Sequence, residues 1–483
     1  MKRPARVAGL ALLLALMPGP ALAALTQTHG YHIEIDENFS TMEVEACFDG
    51  ASPRQLRTGA GNAREWLHQV RITVDGEEQM LRPGRGGIRI PERPDDDCLR
   101  YRVDLGHASR SGNIGVAART GASLVFSPRT WFWRPRGAGS YTRYRLHFEI
   151  AEGHDLSGPW PRDEEHEDEH VYLTENDPLA WDASILVGEF ERYQLQEGRL
   201  SLDVAIADGP GELPPAALLE DWLRRGLAAG REVLGEWPGE RAQAVIVPVE
   251  GGEDRPLARA RASRGGGPGL LLGVDAKHSD AAFLDDGLIV HEFVHLLHPP
   301  VHRNARWLTE GLATYYQYIG KARAGQLSEA EAWERFLDGL RRGYVERRQS
   351  TLHEISRELG RRGGAEYVYW AGAAIMLLAD VELRQREDNP ASLDRVLADW
   401  AACCRERHSR PQGRDSLEEL DELAGGEAIF APMYDEHVLA VGMPDVESVL
   451  EQLGIHRGED RIELDDDAPL ADIRRAIMSP RQD

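Results

Sequence analysis

The stretch Leu288-Ile289-Val290-His291-Glu292-Phe293-Val294-His295-Leu296-Leu297 places three polar side chains on an otherwise apolar background. Residues four apart share one face of an α-helix, so the imidazoles of His291 and His295 would point the same way. Buried polar groups need partners, and one divalent cation would satisfy both imidazoles and the carboxylate of Glu292 together. The pattern therefore predicts a buried helix that binds Zn²⁺ through His291 and His295. The alternative is a buried helix of the same sequence that binds no metal.

A second His-Glu-x-x-His stretch lies at Asp163-Glu164-Glu165-His166-Glu167-Asp168-Glu169-His170. Its other positions are acidic, so a helix formed here would have no apolar face to bury. We interpret it as a solvated acidic loop and not as a catalytic site. The surrounding residues, and not the spacing of the histidines, separate the two stretches.

The next segment of helical character supplies a candidate third ligand. Trp307-Leu308-Thr309-Glu310-Gly311-Leu312-Ala313-Thr314-Tyr315-Tyr316 places Glu310 fifteen residues after His295. Pro299 and Pro300 lie in the turn between the two segments. Two antiparallel helices joined by such a turn would bring Glu310 onto the metal.

Two further histidines compete with Glu310 for the role of third ligand. His298 and His302 lie in or beside the turn, and either is a rival ligand. A pattern that needs a third histidine six residues after His295 is excluded, because Val301 occupies that position. We therefore expect Glu310 to complete the ligand set.

Short runs of alternating polar and apolar residues dominate the first half of the chain. Val70–Val74 and Tyr144–Ile150 are examples, and Gly and Pro residues separate the runs. This pattern is typical of half-buried strands in a sandwich. We predict a β-rich, sandwich-like domain over residues 24–210.

Helical periodicity replaces this alternation in the second half. We predict helices over Ala281–Leu297, Ala305–Ala322 and Ala365–Arg386. Ser328 and Glu331 form a capping box at the start of a further helix.

These patterns together predict an α+β multidomain fold. The β-sandwich-like N-terminal domain would be followed by a mainly helical domain over residues 211–400, which carries the candidate metal ligands. A helical C-terminal region would occupy residues 401–483.

The beginning of the chain has the pattern of an export signal. Three basic residues among the first six precede the apolar run Val7–Met17 and the small-residue sequence Ala21–Ala23. The apolar run is too short to span a bilayer, which needs about 20 residues. We predict a signal peptide over residues 1–23, no membrane span after its removal, and a periplasmic or secreted protein.

The charge of the chain excludes some partners. The formal net charge is −25 over 483 residues, which repels nucleic-acid phosphates and anionic lipid surfaces. We expect no nucleic-acid partner. The sequence does not indicate an oligomeric state.

Four cysteines occur in the chain. Cys47 and Cys98 lie in strand-like segments, and an oxidising compartment would let them form a disulfide. Cys403 and Cys404 are adjacent, and we expect that they do not bridge each other, because the bond would strain the backbone.

The helical segments resemble a known group of enzymes. A His-Glu-x-x-His helix followed by Trp-Leu-x-Glu-Gly-x-Ala-x-Tyr is similar to the gluzincin peptidases. Within this group, Tyr367–Ala373, Leu377–Arg384 and Ser392–Leu397 resemble segments of the glycyl aminopeptidase family. The resemblance implies a thermolysin-like catalytic domain and zinc-dependent hydrolysis of a peptide or protein substrate.

The resemblance also implies roles for single residues. The zinc ligands would be His291, His295 and Glu310. Glu292 would be the catalytic base, and Tyr369 would steady the oxyanion. Ordinary helix packing is the alternative for Tyr369, and Tyr367 is its nearest competitor.

The sequence departs from this family in three places. Ala371 replaces the Lys that usually precedes the Gly, and the spacing from His295 to Glu310 is short. The Gly-x-x-Glu motif that holds a substrate amino group is not evident in Leu271–His278. We expect an exported aminopeptidase-like enzyme, with an endopeptidase of the same fold or an inactive envelope scaffold as alternatives.

Overall fold

The computed structural model describes most of the chain after the predicted signal peptide, which itself lies outside the described residues. The described residues are 27–481, except 61, 93–97, 140–141, 167–169, 176–181, 210–212, 253–254, 265–266, 347–348, 360–362, 387–391, 406, 408 and 459–460. Within them, no helix combines the length and the apolar character that crossing a membrane requires.

The first part of the chain forms three β-sheets and one short helix, α1 (Leu105–Ala108). The strands are β1 (Thr28–Ile35), β2 (Thr41–Cys47), β3 (Gln55–Arg57), β4 (Leu67–Val74), β5 (Glu77–Met80), β6 (Ile88–Arg89), β7 (Cys98–Asp104), β8 (Ala117–Thr120), β9 (Ser123–Phe126), β10 (Arg134–Pro135), β11 (Arg143–Glu149), β12 (Asp155–Ser157), β13 (Val171–Glu175) and β14 (Ile185–Gly188). The seven-stranded sheet has the order β13-β11-β1-β2-β7-β4-β5. The smaller sheets have the orders β10-β3-β6 and β12-β14-β9-β8.

Alternating burial confirms the predicted half-buried strands. In β2 and β7 every second side chain is buried, and the intervening ones are only partly covered. The buried face packs on an aromatic group that includes Tyr31, Phe132 and Tyr144, whose rings meet edge to face. The predicted disulfide between Cys47 and Cys98 is confirmed, because these residues pair directly across β2 and β7 and their sulfurs are bonded.

A five-stranded mixed sheet follows and has the order β15-β16-β17-β19-β18. Its strands are β15 (Phe190–Glu197), β16 (Leu200–Ala207), β17 (Arg241–Pro248), β18 (Leu257–Ser263) and β19 (Gly269–Val274). One face, with Leu270 and Leu272, packs on helices, and the other face, with Leu271, packs on the four-stranded sheet. The strands β15 and β16 precede residue 210 and β17 follows it, so residues on both sides of the predicted domain boundary form this sheet. The division into domains stays a prediction.

Helices make up most of the remaining chain. They are α2 (Ala216–Leu234), α3 (Asp280–Asp285), α4 (Leu288–Val294), α5 (Arg306–Arg323), α6 (Glu329–Glu346), α7 (Leu352–Glu358), α8 (Ala365–Arg384), α9 (Leu393–Cys404), α10 (Gly413–Leu423), α11 (Phe430–Met433), α12 (Glu447–Gln452) and α13 (Ala471–Met478). A hairpin of β20 (Ile455–Arg457) and β21 (Ile462–Leu464) interrupts the C-terminal helices. The α+β architecture, with N-terminal sheets and a helical region, is as predicted.

Two helix predictions have different outcomes. The capping box before α6 is confirmed, because Ser328 Oγ accepts from the Glu331 N–H and Glu331 Oε2 accepts from the Ser328 N–H. The prediction of one helix over Ala281–Leu297 is wrong, because α3 ends before Asp286 and α4 begins after Gly287. Asp286 Oδ1 accepts from the Leu288 N–H at 3.0 Å and so starts α4 as a separate helix.

The expectation for Cys403 and Cys404 is also wrong. Their sulfurs are bonded at 2.06 Å, and their Cα atoms are 3.7 Å apart. That Cα separation is close to the spacing of about 3.8 Å across any trans peptide, so adjacent cysteines can bond without a cis peptide. The pair occupies the last two positions of α9.

Candidate metal centre

Two imidazoles and one carboxylate converge between α4 and α5. The Nε2 atoms of His291 and His295 are 3.1 Å apart. Glu310 Oε2 lies 3.2 Å from Nε2 of His291 and 3.4 Å from Nε2 of His295. Both imidazoles are buried, and their rings meet edge to face. The three residues that the sequence predicted as ligands therefore lie together.

Burial and charge act against each other in this cluster. Burial alone would raise the pKa of Glu310, but His295 and His291 hold this pKa well below its usual range. Burial would likewise lower the pKa of His291, but the hydrogen bond and the charge of Glu310 outweigh it and raise the pKa. The two imidazoles thus keep the carboxylate of Glu310 ionised.

The cluster fits a zinc ion. Catalytic zinc sites use three protein ligands drawn from imidazole nitrogen and carboxylate oxygen. His291, His295 and Glu310 supply such a set, with all three ligand atoms within 4.8 Å of one another. Among the described residues, one other group of this kind contains Cys47 and Cys98, whose sulfurs are already bonded to each other.

Glu292 follows His291 in the chain and is partly buried. Burial, as the largest effect, and the nearby carboxylate of Glu310 raise the pKa of Glu292, while His295 and His291 oppose the rise. A carboxylate with a raised pKa binds a proton more readily than an exposed one. This property suits a group that accepts and returns a proton.

A close crossing of two helices places Glu310. A Cβ atom on Gly311 would lie 2.5 Å from the backbone of Gly372, so α5 and α8 touch through their main chains. The start of α5 is held by the Ser356 hydroxyl, which accepts from the Trp307 N–H at 3.1 Å. The glycine after Glu310 therefore has a packing role that brings α8 against the metal centre.

Of the two candidate tyrosines on α8, one lies at the cluster. The rings of Tyr369 and His291 are 5.6 Å apart. The charge of Glu310, followed by burial, raises the pKa of Tyr369 well above its usual value, so the phenol keeps its proton. The hydroxyl of Tyr367 instead donates to the carbonyl of Gly442 at 2.9 Å.

The rival histidines take other positions. His302 Nδ1 accepts from the Asn304 N–H at 3.3 Å and caps a short 3₁₀ turn. His298 is fully buried, and its Nε2 lies 3.4 Å from Nδ1 of His295, on the side of that ring away from Glu310. His298 is therefore placed behind a candidate ligand and not at the metal position.

Three residues around the cluster were not predicted. Arg264 donates to the backbone carbonyl of His295 at 2.7 Å, and Trp400 stacks on His298 with ring centroids 6.2 Å apart. The hydroxyl of Thr314 lies 3.4 Å from Nδ1 of His291. Thr314 follows Glu310 by four residues on α5, and this helical spacing is the one signal that could have identified it.

The segments that carried the family resemblance further downstream hold a buried ion network. Arg323 donates through two nitrogens to both carboxylate oxygens of Asp394, and Arg384 bonds to Asp394 and to Asp380. The hydroxyl of Tyr315 donates to Asp380 at 2.7 Å. This network links α5, the helix that carries Glu310, to α8 and α9.

The second His-Glu-x-x-His stretch is arranged differently. His166 is exposed in a turn, and its Nδ1 lies 3.2 Å from Asp163 Oδ2. The prediction of a solvated loop is wrong for Asp163, which is buried because Arg145 donates to it at 2.6 Å. His170 directly precedes β13, and residues 167–169 lie outside the described part.

Known proteins define the class of fold. No family model matches the sequence, and no curated protein matches it either. Solved structures do match, and they show that the chain has the two-domain fold of M1 zinc metallopeptidases. Their low sequence identity means that the likeness concerns the fold.

Particular structures illustrate this likeness. An aminopeptidase N family protein from Idiomarina loihiensis has a TM-score of 0.68 at 14% identity, covering 88% of this chain and 78% of its own. The M1 zinc metallopeptidase from Deinococcus radiodurans has a TM-score of 0.55 at 15% identity, covering 87% and 94%. A mutant of the latter protein, bound to a Tyr-Ser-Ala substrate, has a TM-score of 0.56 at 14% identity, covering 87% and 96%.

Proposed function

We propose that this chain is a zinc-dependent hydrolase of peptide bonds. The observation that carries the proposal is the position of Glu310, whose Oε2 lies 3.2 and 3.4 Å from the Nε2 atoms of His291 and His295. A carboxylate brought from a second helix onto both imidazoles supplies the ligand set of a catalytic zinc site. The M1 zinc metallopeptidase fold supports the same reaction class.

Each residue near the cluster has a proposed role in hydrolysis. When bound, zinc lowers the pKa of a water to about 7 and polarises the scissile carbonyl. Glu292 accepts the proton of the attacking water and returns it to the leaving amine, which its raised pKa supports. Tyr369, protonated at neutral pH, donates a hydrogen bond to the developing oxyanion.

The likeness to aminopeptidases makes a free N-terminus the first expectation for the substrate. An endopeptidase is the second candidate, and one observation favours it. Asp275 is the acidic residue of Leu271–His278, where an amine-holding Glu was expected. Its Oδ2 already accepts from the N–H groups of Gly251 and Gly252, at 3.1 and 2.9 Å.

We also propose that the protein acts after export, in the periplasm or outside the cell. The sequence pattern over residues 1–23 is the basis for this proposal. The bonded pair Cys47 and Cys98 supports it, because disulfides persist in oxidising compartments.

Digestion of a defined peptide set tests the proposal. Each peptide is offered with a free and with an acetylated N-terminus, to the zinc-loaded protein and to the protein treated with a chelator. We expect cleavage that the chelator abolishes and added zinc restores. Cleavage of free peptides alone identifies an aminopeptidase, and cleavage of acetylated peptides as well identifies an endopeptidase. Bound zinc without any cleavage would instead make the chain an inactive scaffold.

A further inference from the structure

The N-terminal sheets contain a cavity that the metal chemistry does not use. It has a volume of about 510 Å³ and lies at the three-stranded sheet formed by β10, β3 and β6. Arg57, Arg64 and Arg85 line it, together with Trp133 and the glycines around Arg85. A cavity of this size accommodates a small ligand.

Positive charge is concentrated here in a chain that is otherwise strongly acidic. The net charge of the chain is −25, yet the described residues that line the cavity include three arginines and no acidic residue. These exposed guanidinium groups make the described lining of the cavity positive, and such a surface attracts an anionic ligand.

The three arginines differ from their neighbours in the same domain. Arg100 and Arg102 are paired with Glu45 and Glu43 across β7 and β2. The side chains of Arg57, Arg64 and Arg85 are exposed and make no hydrogen bond or ion pair among the described residues. Their donors are therefore available in the absence of a ligand.

One wall of the cavity is formed by Trp133. Trp133 is 3% exposed, and its indole N–H has no hydrogen-bond partner in the part of the chain that the structure describes. Buried polar groups of this kind are usually satisfied. Six other buried indole N–H groups in the described chain likewise lack a partner, so Trp133 supplies an apolar wall and no separate evidence of a ligand.

The backbone of the cavity is rigidly placed. Gly84 and Gly87 exchange two backbone hydrogen bonds of 2.9 and 3.1 Å, and the side chain of Gln55 donates to the carbonyl of Gly86 at 2.6 Å. Gly87 has φ +113°, and a Cβ atom there would overlap the carbonyl oxygen of Leu56. The turn that carries Arg85 is therefore fixed against β3, and the cavity exists before a ligand binds.

We propose that this cavity binds a phosphate group, either free or carried on a small molecule. A phosphate carries a charge of about −1.5 to −2 at neutral pH and three acceptor oxygens, whereas a carboxylate carries one charge and two oxygens. The planar fork of each guanidinium matches two of those oxygens. A phosphate group therefore matches the charge and the hydrogen-bond donors of three arginines better than a single carboxylate does.

Calorimetric titration of the full-length protein tests the site. The probes are inorganic phosphate, a hexose phosphate, the same hexose without phosphate, and malonate. We expect both phosphates to bind, the free hexose not to bind, and malonate to bind more weakly. Tighter binding of the hexose phosphate than of inorganic phosphate identifies a carried phosphate, and the reverse order identifies free phosphate as the ligand.

Substitution of the arginines supplies the matched comparison. Arg64→Gln and Arg85→Gln should each weaken phosphate binding about tenfold, because each removes a charge-assisted contact. Arg82→Gln removes an exposed arginine of the same segment that does not line the cavity, and it should leave the affinity unchanged. The melting temperature should not change in any of the three variants, since these arginines make no contact that folding needs.

Three results would overturn the proposal. They are the absence of binding for both phosphates, equal weakening by Arg82→Gln and by the cavity variants, and malonate binding as tight as that of phosphate. The metal centre shares no residue with this cavity, so the outcome is independent of whether the protein hydrolyses peptides.

Discussion

The two His-Glu-x-x-His stretches of this chain have the same spacing and different surroundings. His291 and His295 lie on and at the end of α4, buried against α5, and a carboxylate from α5 completes their cluster. His166 lies exposed in a turn, and His170 precedes a strand. The described part of the second stretch joins no cluster of three potential metal ligands.

This difference shows what a metal centre requires beyond a motif. A helix with apolar positions between the histidines can be buried, and burial brings it against a second element that offers the third ligand. An acidic segment does not bury a helix in this way, and the described part of the second stretch, where His166 contacts Asp163, gains no third ligand from another element. The first stretch can form a metal centre because the neighbouring helix α5 supplies the third ligand.

Removing one histidine from each stretch gives the largest expected difference. We expect His291→Ala to lose bound zinc and all chelator-sensitive hydrolysis, because two ligands remain where a catalytic site uses three. His166→Ala, at the matching position of the second stretch, should keep both. Metal analysis and peptide turnover of the two variants are the measurements. Equal zinc content in both variants would show that the ion binds elsewhere.

Removing the carboxylate that follows the first histidine separates binding from catalysis. Glu292→Gln should keep zinc and reduce kcat by about 10²–10⁴, the range for a general base. Glu167→Gln, the corresponding change in the second stretch, should leave kcat unchanged. Zinc stoichiometry measured beside kcat distinguishes the base from a ligand. A Glu292→Gln variant with full turnover would remove Glu292 from the mechanism.

The two tyrosines of α8 sharpen the comparison further. Tyr369→Phe should lower kcat by about 10²–10³, because it removes a hydrogen-bond donor to the oxyanion. Tyr367→Phe should leave kcat unchanged and lower stability by about 0.5–1.5 kcal/mol, because Tyr367 donates to Gly442 and not to the site. Steady-state kinetics and thermal unfolding of both variants test this. An equal loss of kcat in the two would indicate a packing effect.

Sequence patterns predicted the parts of the site that depend on local order. The apolar positions around His291 predicted a buried helix, and the spacing to Glu310 predicted the adjacent helix that supplies the third ligand. The split of the predicted helix at Gly287 was missed, because apolar periodicity continues across it. The bond between Cys403 and Cys404 was missed as well, because it depends on backbone geometry at the end of α9.

The residues around the ligands could not be predicted from spacing. Arg264 is about thirty residues from His295 in sequence, and Trp400 is more than a hundred, yet both contact the His295–His298 segment. Their contacts arise when β18 packs on α4 and when α9 approaches the segment that follows α4. Tertiary packing decides them, and a single sequence carries no signal of it.

His298 tests whether this surrounding layer matters to the metal. Its Nε2 faces Nδ1 of His295, so it can hold that ring with Nε2 directed at the metal position. His298→Phe keeps a ring for stacking on Trp400 and removes the nitrogen, and zinc affinity should fall about 10–100-fold. His302→Ala, which removes a turn cap, should leave the affinity unchanged. Competition with a chelator measures both, and equal affinities would make His298 a packing residue.

Asp286 affects stability and not catalysis, and it concerns the burial that distinguishes the first stretch from the second. Burial raises its pKa from 3.8 to about 6, against the opposing effect of its hydrogen bond from Leu288. The folded chain therefore holds this proton more tightly than the unfolded chain, so stability falls as pH rises between these two values. The shift corresponds to about 3 kcal/mol lost above the folded-state pKa.

Asp286→Asn removes this titration while its side-chain oxygen can still accept from the Leu288 N–H. The metal-free variant should therefore melt at a higher temperature than the parent near pH 7, and the difference should vanish below pH 3.8, where Asp286 is protonated in the folded and the unfolded chain. Melting curves of the two proteins across this range are the measurement. A difference that stays constant with pH would mean that the carboxyl of Asp286 is ionised in the folded chain as readily as in water. In that case burial would not disfavour the ionised carboxylate of Asp286 at the start of α4, contrary to our inference.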